Sequence, residues 1–280
     1  MALQTTIASV ASYKGVGLHS GKDVTMELQP AEAGTGIVFV RGDLPGQPQV
    51  EAKAENVTST MRATTIEANG VKLFTIEHLM SALHGAGVDN VKVVIDAEEP
   101  PVADGSSREF FQLLQKAGIR ELAAERQELV VDRLYRVDDG DKFVLALPYD
   151  GFRVSFTSIN PHPLIGIQYG DYEITPDVYS KEVAAARTIA YEAEVEALHK
   201  MGLGLGGTLE NVIVYNDEGW MNPLIYPDEL VRHKILDLVG DLRLAGVVRG
   251  HFVAVKSGHA LNTAMSKLLK QELGSNICGK

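Results

Sequence analysis

The 280-residue chain is 45% hydrophobic and 22% charged, which excludes a disordered or fibrous class, and at this length it can bury ~75% of its unfolded surface in one large or two ordinary domains. Asp and Glu outnumber Lys and Arg by 37 to 26, a formal charge of −11, and no Lys/Arg-rich run offsets it, so nucleic acid and anionic lipid are not expected partners. The single cysteine, Cys278, excludes an intrachain disulfide and Cys-rich zinc modules, leaving His and Asp/Glu as the ligands for any metal. Met1-Ala2-Leu3-Gln4 carries no basic segment followed by an apolar run, so no signal peptide is expected. The longest uncharged run, between Arg153 and Asp171, is short and broken by Pro161 and Pro163, and no transmembrane segment is expected. A cytoplasmic globular protein is the expectation.

In chain order, the first third reads as short strands: Val24 to Leu28 alternates, Gly36 to Val40 is apolar, and Gly34, Gly42, Pro45, Gly46 and Pro48 mark turns. A helix starts near Glu77, with Leu79, Met80, Leu83 and His84 at helical spacing and Gly85 and Gly87 closing it. Asn90 to Asp96 reads as a strand. Ser106-Ser107-Arg108-Glu109 has the pattern of a capping box opening a helix that Gly118 ends. The polar stretch Arg120 to Gln127 is the best candidate for a domain boundary. Strands follow at Glu128 to Val131, Lys142 to Leu147 and Phe152 to Ser158. After an insertion-like region with the glycine-rich stretch Met201 to Thr208, Asp228 caps a long helix reaching about Ala245, with Gly246 as its stop. His251 to Lys256 reads as a strand and Ala260 to Leu273 as the last helix.

The two halves end alike. Each has a helix running into Ala-Gly-Val (Ala86-Gly87-Val88 and Ala245-Gly246-Val247), then a strand, a turn and a helix, and each first helix carries a histidine near its start, His78 and His233. This points to an internal duplication. The predicted fold is α+β, with two similar domains over 1–124 and 125–280 and a site in the cleft between them.

The densest chemical constellation is V-R-H-K-I-L-D-L-V-G-D-L at 231–242, in which His233, Asp237 and Asp241 share one face of a helix. An imidazole and a carboxylate at this spacing can converge on zinc, although the same pattern describes a solvated stripe on an amphipathic helix. A third ligand is offered by His78, next to Glu77. A ligand histidine beside a carboxylate that does not bind the metal is the arrangement of hydrolytic zinc sites, where the carboxylate takes the proton of an acidified water. The third element is K-S-G-H-A-L-N at 256–262, whose turn presents His259 at a helix start, where a protonated imidazole can stabilise an oxyanion or protonate a leaving amine. His19, His84, His162, His199 and His251 lack comparable context and read as structural. The stretch Gly202 to Gly207 has neither the G-K-[ST] ending nor the G-x-G-x-x-G order of nucleotide loops.

Taken together, T-I-E-H-L at 75–79, A-R-T at 186–188, G-L-G-L-G-G-T at 202–208, V-R-H-K-I-L-D-L-V-G-D-L at 231–242 and K-S-G-H-A-L-N at 256–262 resemble the UDP-3-O-acyl-N-acetylglucosamine deacetylases. G-V-G-L-H-S-G at 15–21 and D-G-S at 104–106 fit as well. That family removes the N-acetyl group at the committed step of lipid A synthesis in the cytoplasm of Gram-negative bacteria. The resemblance implies two domains, each a sheet packed against a pair of helices, and one Zn2+ per chain, with ferrous iron as the alternative, on His78, His233 and Asp237. It implies Glu77 as general base, His259 as cationic partner held by Asp241, and Thr188 near the oxyanion. Lys234, Ile189, Tyr191, Leu203 and Gly206 are the implied substrate contacts, and an apolar acyl passage maps to about 189–214 (Ile189, Tyr191, Leu198, Met201, Leu203, Leu205, Val212). The family usually has an aromatic where this chain has Ile189. A monomer acting on UDP-3-O-acyl-N-acetylglucosamine, without a fused dehydratase, is the expectation; a zinc hydrolase of another amide or ester and a non-catalytic carbohydrate- or lipid-binding protein are the other classes considered.

Overall fold

Two sheets follow the same five-strand path through the chain. In the first, the strands lie in the order Ala11–Val16, Asp23–Pro30, Val91–Ile95, Ile37–Arg41, Gln49–Glu51. In the second the order is Tyr135–Asp139, Lys142–Leu147, Val248–Val255, Phe152–Ile159, Ile167–Glu173. Each central strand comes last in sequence, and runs antiparallel to the second strand and parallel to the fourth. The correspondence extends to the first segment of each half: Thr6 bridges Asn90 in parallel, as Leu129–Val130 pairs in parallel with Val248 and Arg249. The expected duplication is thus present strand for strand. The computed structural model describes residues 2–274, and Cys278 lies outside them.

Period-2 patterning explains why one face of each sheet is covered. Val91–Ile95 and Val248–Val255 both alternate buried and half-buried positions, as expected for strands with one face on a core. The helices that supply the cover are α1 (Glu77–Gly85) and α2 (Arg108–Ala117) in the first half. After a single turn, α3 (Pro176–Val178), and α4 (Glu192–Lys200), the second half is covered by α5 (Glu229–Leu242) and α6 (His259–Leu273). One continuous apolar core runs through both halves. Each repeat also carries an insert between its fifth strand and its first core helix: a three-stranded sheet, Val57–Ser59, Thr65–Ala68 and Val71–Leu73, in the first, and Ile189–Tyr191, α4 and Ile213–Tyr215 in the second.

The repeats meet along α1 and α5. A Cβ on Gly240 would lie 2.1 Å from the Glu77 carbonyl oxygen, so only glycine lets the α5 backbone ride directly on the start of α1. A second tie is ionic. Asp89 accepts Arg126 Nε at 2.8 Å and Arg243 Nη2 at 3.2 Å, and the same Arg243 nitrogen donates to the Val88 carbonyl at 2.7 Å. Nearby His84 is half-buried, and desolvation together with the charges of Arg243 and Arg126 pushes its pKa down to about 3.

Three local readings differ from the sequence expectation. Arg120 to Gln127, read as a boundary, lies largely within a strand, Ile119–Glu125, which pairs antiparallel with Leu3–Ile7; its polar residues mark a mostly exposed strand, not a linker. The capping box does not form, because Ser106 Oγ donates to Asp104 and accepts from Arg108 N, while Ser107 Oγ donates to the His78 carbonyl. Asp228 makes no capping bond and instead takes Arg232 Nε at 2.7 Å.

Gly240→Ala should lower stability by about 1–3 kcal/mol, the usual cost of overpacking, which for a chain of this size is a fall of about 2–10 °C in Tm. An unchanged Tm in thermal unfolding would show that the helices do not depend on this close approach.

Candidate active site

The contact between α1 and α5 brings three ligand atoms together. His78 is the second residue of α1, and His233 and Asp237 lie one turn apart on α5. Asp237 Oδ1 is 3.4 Å from His233 Nε2 and 3.8 Å from His78 Nε2, and all three residues are buried. Asp237 Oδ1 has no hydrogen-bond partner although it is buried, a costly state for a carboxylate oxygen unless a cation completes it. Its other oxygen accepts Lys234 Nζ at 2.9 Å. His233 Nδ1 faces the Ala186 carbonyl at 3.0 Å, so the proton sits on Nδ1 and the Nε2 lone pair is free. Ligand atoms this far apart suit a metal bound at ~2.0–2.2 Å from each.

The electrostatics fit the same use. Burial lowers the His78 pKa to about 3, with the neighbouring imidazole adding to it, and burial also lowers that of His233; both rings are neutral and able to donate. Burial works against the Asp237 carboxylate, but His233 and Lys234 outweigh it and hold the group well below the usual carboxylate range. Lys234 in turn is held charged by Asp237 against its own desolvation.

Beside the triad stands a second pair. Glu77 Oε1 lies 3.7 Å from His259 Nε2, and His259 Nδ1 donates to Asp241 Oδ2 at 2.8 Å. Asp241 is fully buried and also accepts Asn262 Nδ2 at 2.9 Å and the Thr64 hydroxyl. The Thr64 amide donates to Glu77 Oε2 at 3.0 Å, so one threonine fixes both carboxylates. Burial raises Glu77 to about 7, partly opposed by His259. Burial also disfavours the His259 cation, but Asp241 and then Glu77 overcome it and raise the imidazole to about 10.

Two cavities meet over these groups. One, of about 470 Å³, is lined by His78, His233, Asp237, Glu77, His259 and Thr188 together with the apolar Ile189, Val195, Leu198, Leu209, Val212 and Met221. The second, of about 500 Å³, is lined by Lys142, Lys234 and Lys256 with Ser158, Asn160, Tyr191 and Ser257. Arg62, Ile189, Ala190, Leu198 and Lys234 belong to both.

Residues 4–271 match the family model described as "LpxC: UDP-3-O-acyl N-acetylglycosamine deacetylase". The chain belongs to this deacetylase family. Among similar relatives carrying the name UDP-3-O-acyl-N-acetylglucosamine deacetylase, the protein of Geobacter sp. (strain M21) is 46% identical over 97% of this chain and 90% of its own length. That of Myxococcus xanthus is 45% identical over 98% and 88%, and that of Campylobacter lari 44% identical over 96% and 92%.

Measured against the residues expected from the family resemblance, the structure brings Glu77, His78, Thr188, His233, Lys234, Asp237 and His259 to one cavity, with Asp241 directly behind His259. Ile189 lines both cavities and Tyr191 the second, its hydroxyl donating to Asp217 at 2.6 Å. Leu203 and Gly206 line neither. Leu203 closes the turn after α4 by donating to the Leu198 carbonyl. Gly206 packs on the Gly17 backbone, where a Cβ would come within 2.1 Å of the Gly17 oxygen. Of the expected passage residues, Met201 and Leu205 line neither cavity, whereas Val195, Leu209 and Met221 line the apolar one.

Several site residues had no sequence signal. Thr64 lies just before the strand Thr65–Ala68, and its two bonds are visible only in three dimensions. His19, read as structural, lines the apolar cavity, with Nδ1 accepting from Gly204 N at 3.2 Å and Nε2 buried without a partner. Its loop is held by fully buried Glu99, which accepts from the amides of His19 and Ser20 and from Thr75 Oγ1. His251 remains structural: Ser155 bridges it to Asp171, so a serine and not the histidine is central, which is the wrong order for a nucleophile triad.

Purified protein should bind one zinc-type metal ion per chain, and His78→Ala, His233→Ala and Asp237→Ala should each abolish tight binding, since each removes one of three ligands. Elemental analysis after dialysis measures this; full occupancy in His233→Ala would rule the triad out.

Proposed function

We propose that the chain is a zinc-dependent hydrolase that removes the N-acetyl group of UDP-3-O-acyl-N-acetylglucosamine, giving acetate and the free amine at the committed step of lipid A synthesis. The observation that carries this reading is the placement of the His78–His233–Asp237 triad and the Glu77–His259 pair where an apolar cavity meets a lysine-lined one. A substrate with an acyl chain on one side of a sugar and a diphosphate on the other needs that juxtaposition. The names of the relatives support the same substrate. We assign the cellular setting to the cytoplasm and the acting form to a monomer; no helix among the described residues is long and apolar enough to cross a membrane. The repeats divide into domains 1–124 and 125–280, with the acyl-passage insert at about 189–214.

His78, His233 and Asp237 would hold the metal, Zn2+ or alternatively Fe2+. When bound it supplies Lewis acidity that acidifies water and polarises the acetamide carbonyl. Glu77, ionised, accepts the proton of the attacking water. His259, protonated and oriented by Asp241, stabilises the oxyanion together with the Thr188 side. Collapse of the tetrahedral species expels the amine, which takes its proton from the Glu77–His259 pair, whose Oε1 and Nε2 face each other across 3.7 Å. Lys142, Lys234 and Lys256 offer charge to the diphosphate, and Ile189, Leu198 and Val212 cover the acyl chain.

The pH dependence follows from the two shifted groups. Activity requires ionised Glu77, so kcat/KM should fall on the acid side as that carboxylate, about 7 in the metal-free site and lower beside a cation, takes up a proton. It requires protonated His259, so kcat/KM should fall again as pH rises through about 10. Asp241→Asn removes the main raising charge and should move the alkaline limb to lower pH, whereas His259→Ala should keep its metal, lose ~10²–10³ in rate and abolish that limb. Glu77→Ala should keep its metal and lose ~10²–10⁴. An alkaline limb untouched in His259→Ala would assign it to another group.

A substrate lacking the 3-O-acyl chain should be turned over far more slowly. At ~0.8 kcal/mol per CH₂, even four buried methylenes amount to ~200-fold in kcat/KM. Equal kcat/KM for acylated and non-acylated sugar nucleotide would refute the acyl-passage assignment.

A further inference from the structure

Glu229 opens α5 one turn before His233 and is 1% exposed. Its carboxylate receives five N–H groups. Oε1 accepts the Arg187 backbone amide at 3.0 Å and Arg187 Nε at 2.9 Å. Oε2 accepts Arg187 Nη2 at 3.2 Å, Ile225 N at 2.6 Å and Tyr226 N at 3.4 Å. Arg187 is also buried, and its Nη2 donates a further bond to the Pro223 carbonyl at 2.7 Å. A paired, multiply bonded buried charge of this kind is rigid and costly to disturb. Glu229 lines neither cavity, so it does not touch the reacting atoms.

What it does touch lies between two site residues. The residue before Arg187 is Ala186, whose carbonyl faces His233 Nδ1 at 3.0 Å; the residue after it is Thr188, which lines the apolar cavity. Thr188 is tied further, with its amide donating to the Gly105 carbonyl and its own carbonyl accepting Ile213 N, both at 2.8 Å. Glu229 and His233 therefore sit one turn apart on one helix and grip the same three-residue segment, one through the Arg187 amide and guanidinium and the other through the Ala186 carbonyl. Movement of that segment would free the His233 ring and shift Thr188 together.

We propose that Glu229 is a positioning residue: through Arg187 it holds segment 186–188 so that the Ala186 carbonyl fixes the tautomer and angle of His233 while Thr188 faces the cleft. The proposal rests on the metal-site reading above. Groups that orient a ligand histidine are worth ~10–100-fold in metal affinity or activity. Both Glu229 oxygens accept at least two N–H groups, so a Gln at this position must set its NH₂ against donors in either orientation.

The test loads wild type, Glu229→Gln, Glu229→Asp and a core variant remote in role, Leu28→Ala, with Zn2+, and follows metal release to a chelator alongside Tm. Glu229→Gln should release metal ~10–100-fold faster than wild type. Glu229→Asp, which keeps the charge, should fall between the two. Leu28→Ala, buried in the first sheet and lining neither cavity, should lose Tm yet release metal at the wild-type rate. Release from Glu229→Gln no faster than from Leu28→Ala overturns the proposal, because a purely structural role would act through stability alone. Should Glu229→Gln not fold, Arg187→Lys, which keeps the charge but loses the fork, carries the same two outcomes. Wild-type protein that takes up no Zn2+ overturns the metal-site reading and the proposal with it; wild type that binds while Glu229→Gln behaves like Leu28→Ala overturns the proposal alone.

Discussion

Everything in the site depends on how closely α5 rides on α1. The Glu77 carbonyl occupies the space that a side chain at Gly240 would need, and that contact puts Glu77 and His78 of one repeat against His233, Asp237 and Asp241 of the other. Neither repeat alone supplies both the proposed base and all three candidate ligands. The buried Asp89–Arg126–Arg243 cluster ties the repeats at a second place, which limits rocking of one helix on the other. The inserts then close the site from both sides, the first contributing Arg62 and Thr64 and the second Thr188, Ile189 and the apolar wall.

Within a few ångströms the same low-dielectric environment has opposite effects on different groups, and neighbours decide which. Burial pushes Glu77 up towards neutrality, the range in which a carboxylate can both take and return a proton. Asp237 is equally buried but is held ionised by its neighbours, the Lys234 cation among them. His78 is driven neutral, whereas His259, flanked by Asp241 and Glu77, is driven cationic. Two neutral imidazoles, one ionised carboxylate, one carboxylate raised towards neutrality and one cation fit the division of labour that the proposed amide hydrolysis at a metal would require.

What could be read from the sequence followed helical and strand periods. His233, Asp237 and Asp241 share a helix face by spacing alone, and the repeated helix–Ala-Gly-Val–strand pattern announced the duplication that the sheets show in full. The alternative of a solvated stripe is excluded by burial of all three side chains. Contacts between distant segments were not legible. Thr64 bonds Glu77 and also Asp241, which lies 177 residues further along the chain, and Glu229 reaches back to Arg187 across 42, with nothing local to mark either. Ile119–Glu125 is not legible as a strand, because an exposed strand and an irregular segment share a polar composition. Leu203 and Gly206 are expected at the substrate from the family resemblance alone; here Gly206 is approached by the Gly17 backbone.

The central claim is that the two repeats share one metal between them, on three named atoms. Anomalous diffraction at the zinc edge from crystals of the Zn2+-loaded protein measures this directly. The account predicts one peak per chain, ~2.0–2.2 Å from His78 Nε2, His233 Nε2 and Asp237 Oδ1, with Glu77 and His259 outside bonding distance. A peak coordinated by Glu77 or His259, or one lying away from the contact between α1 and α5, would contradict it.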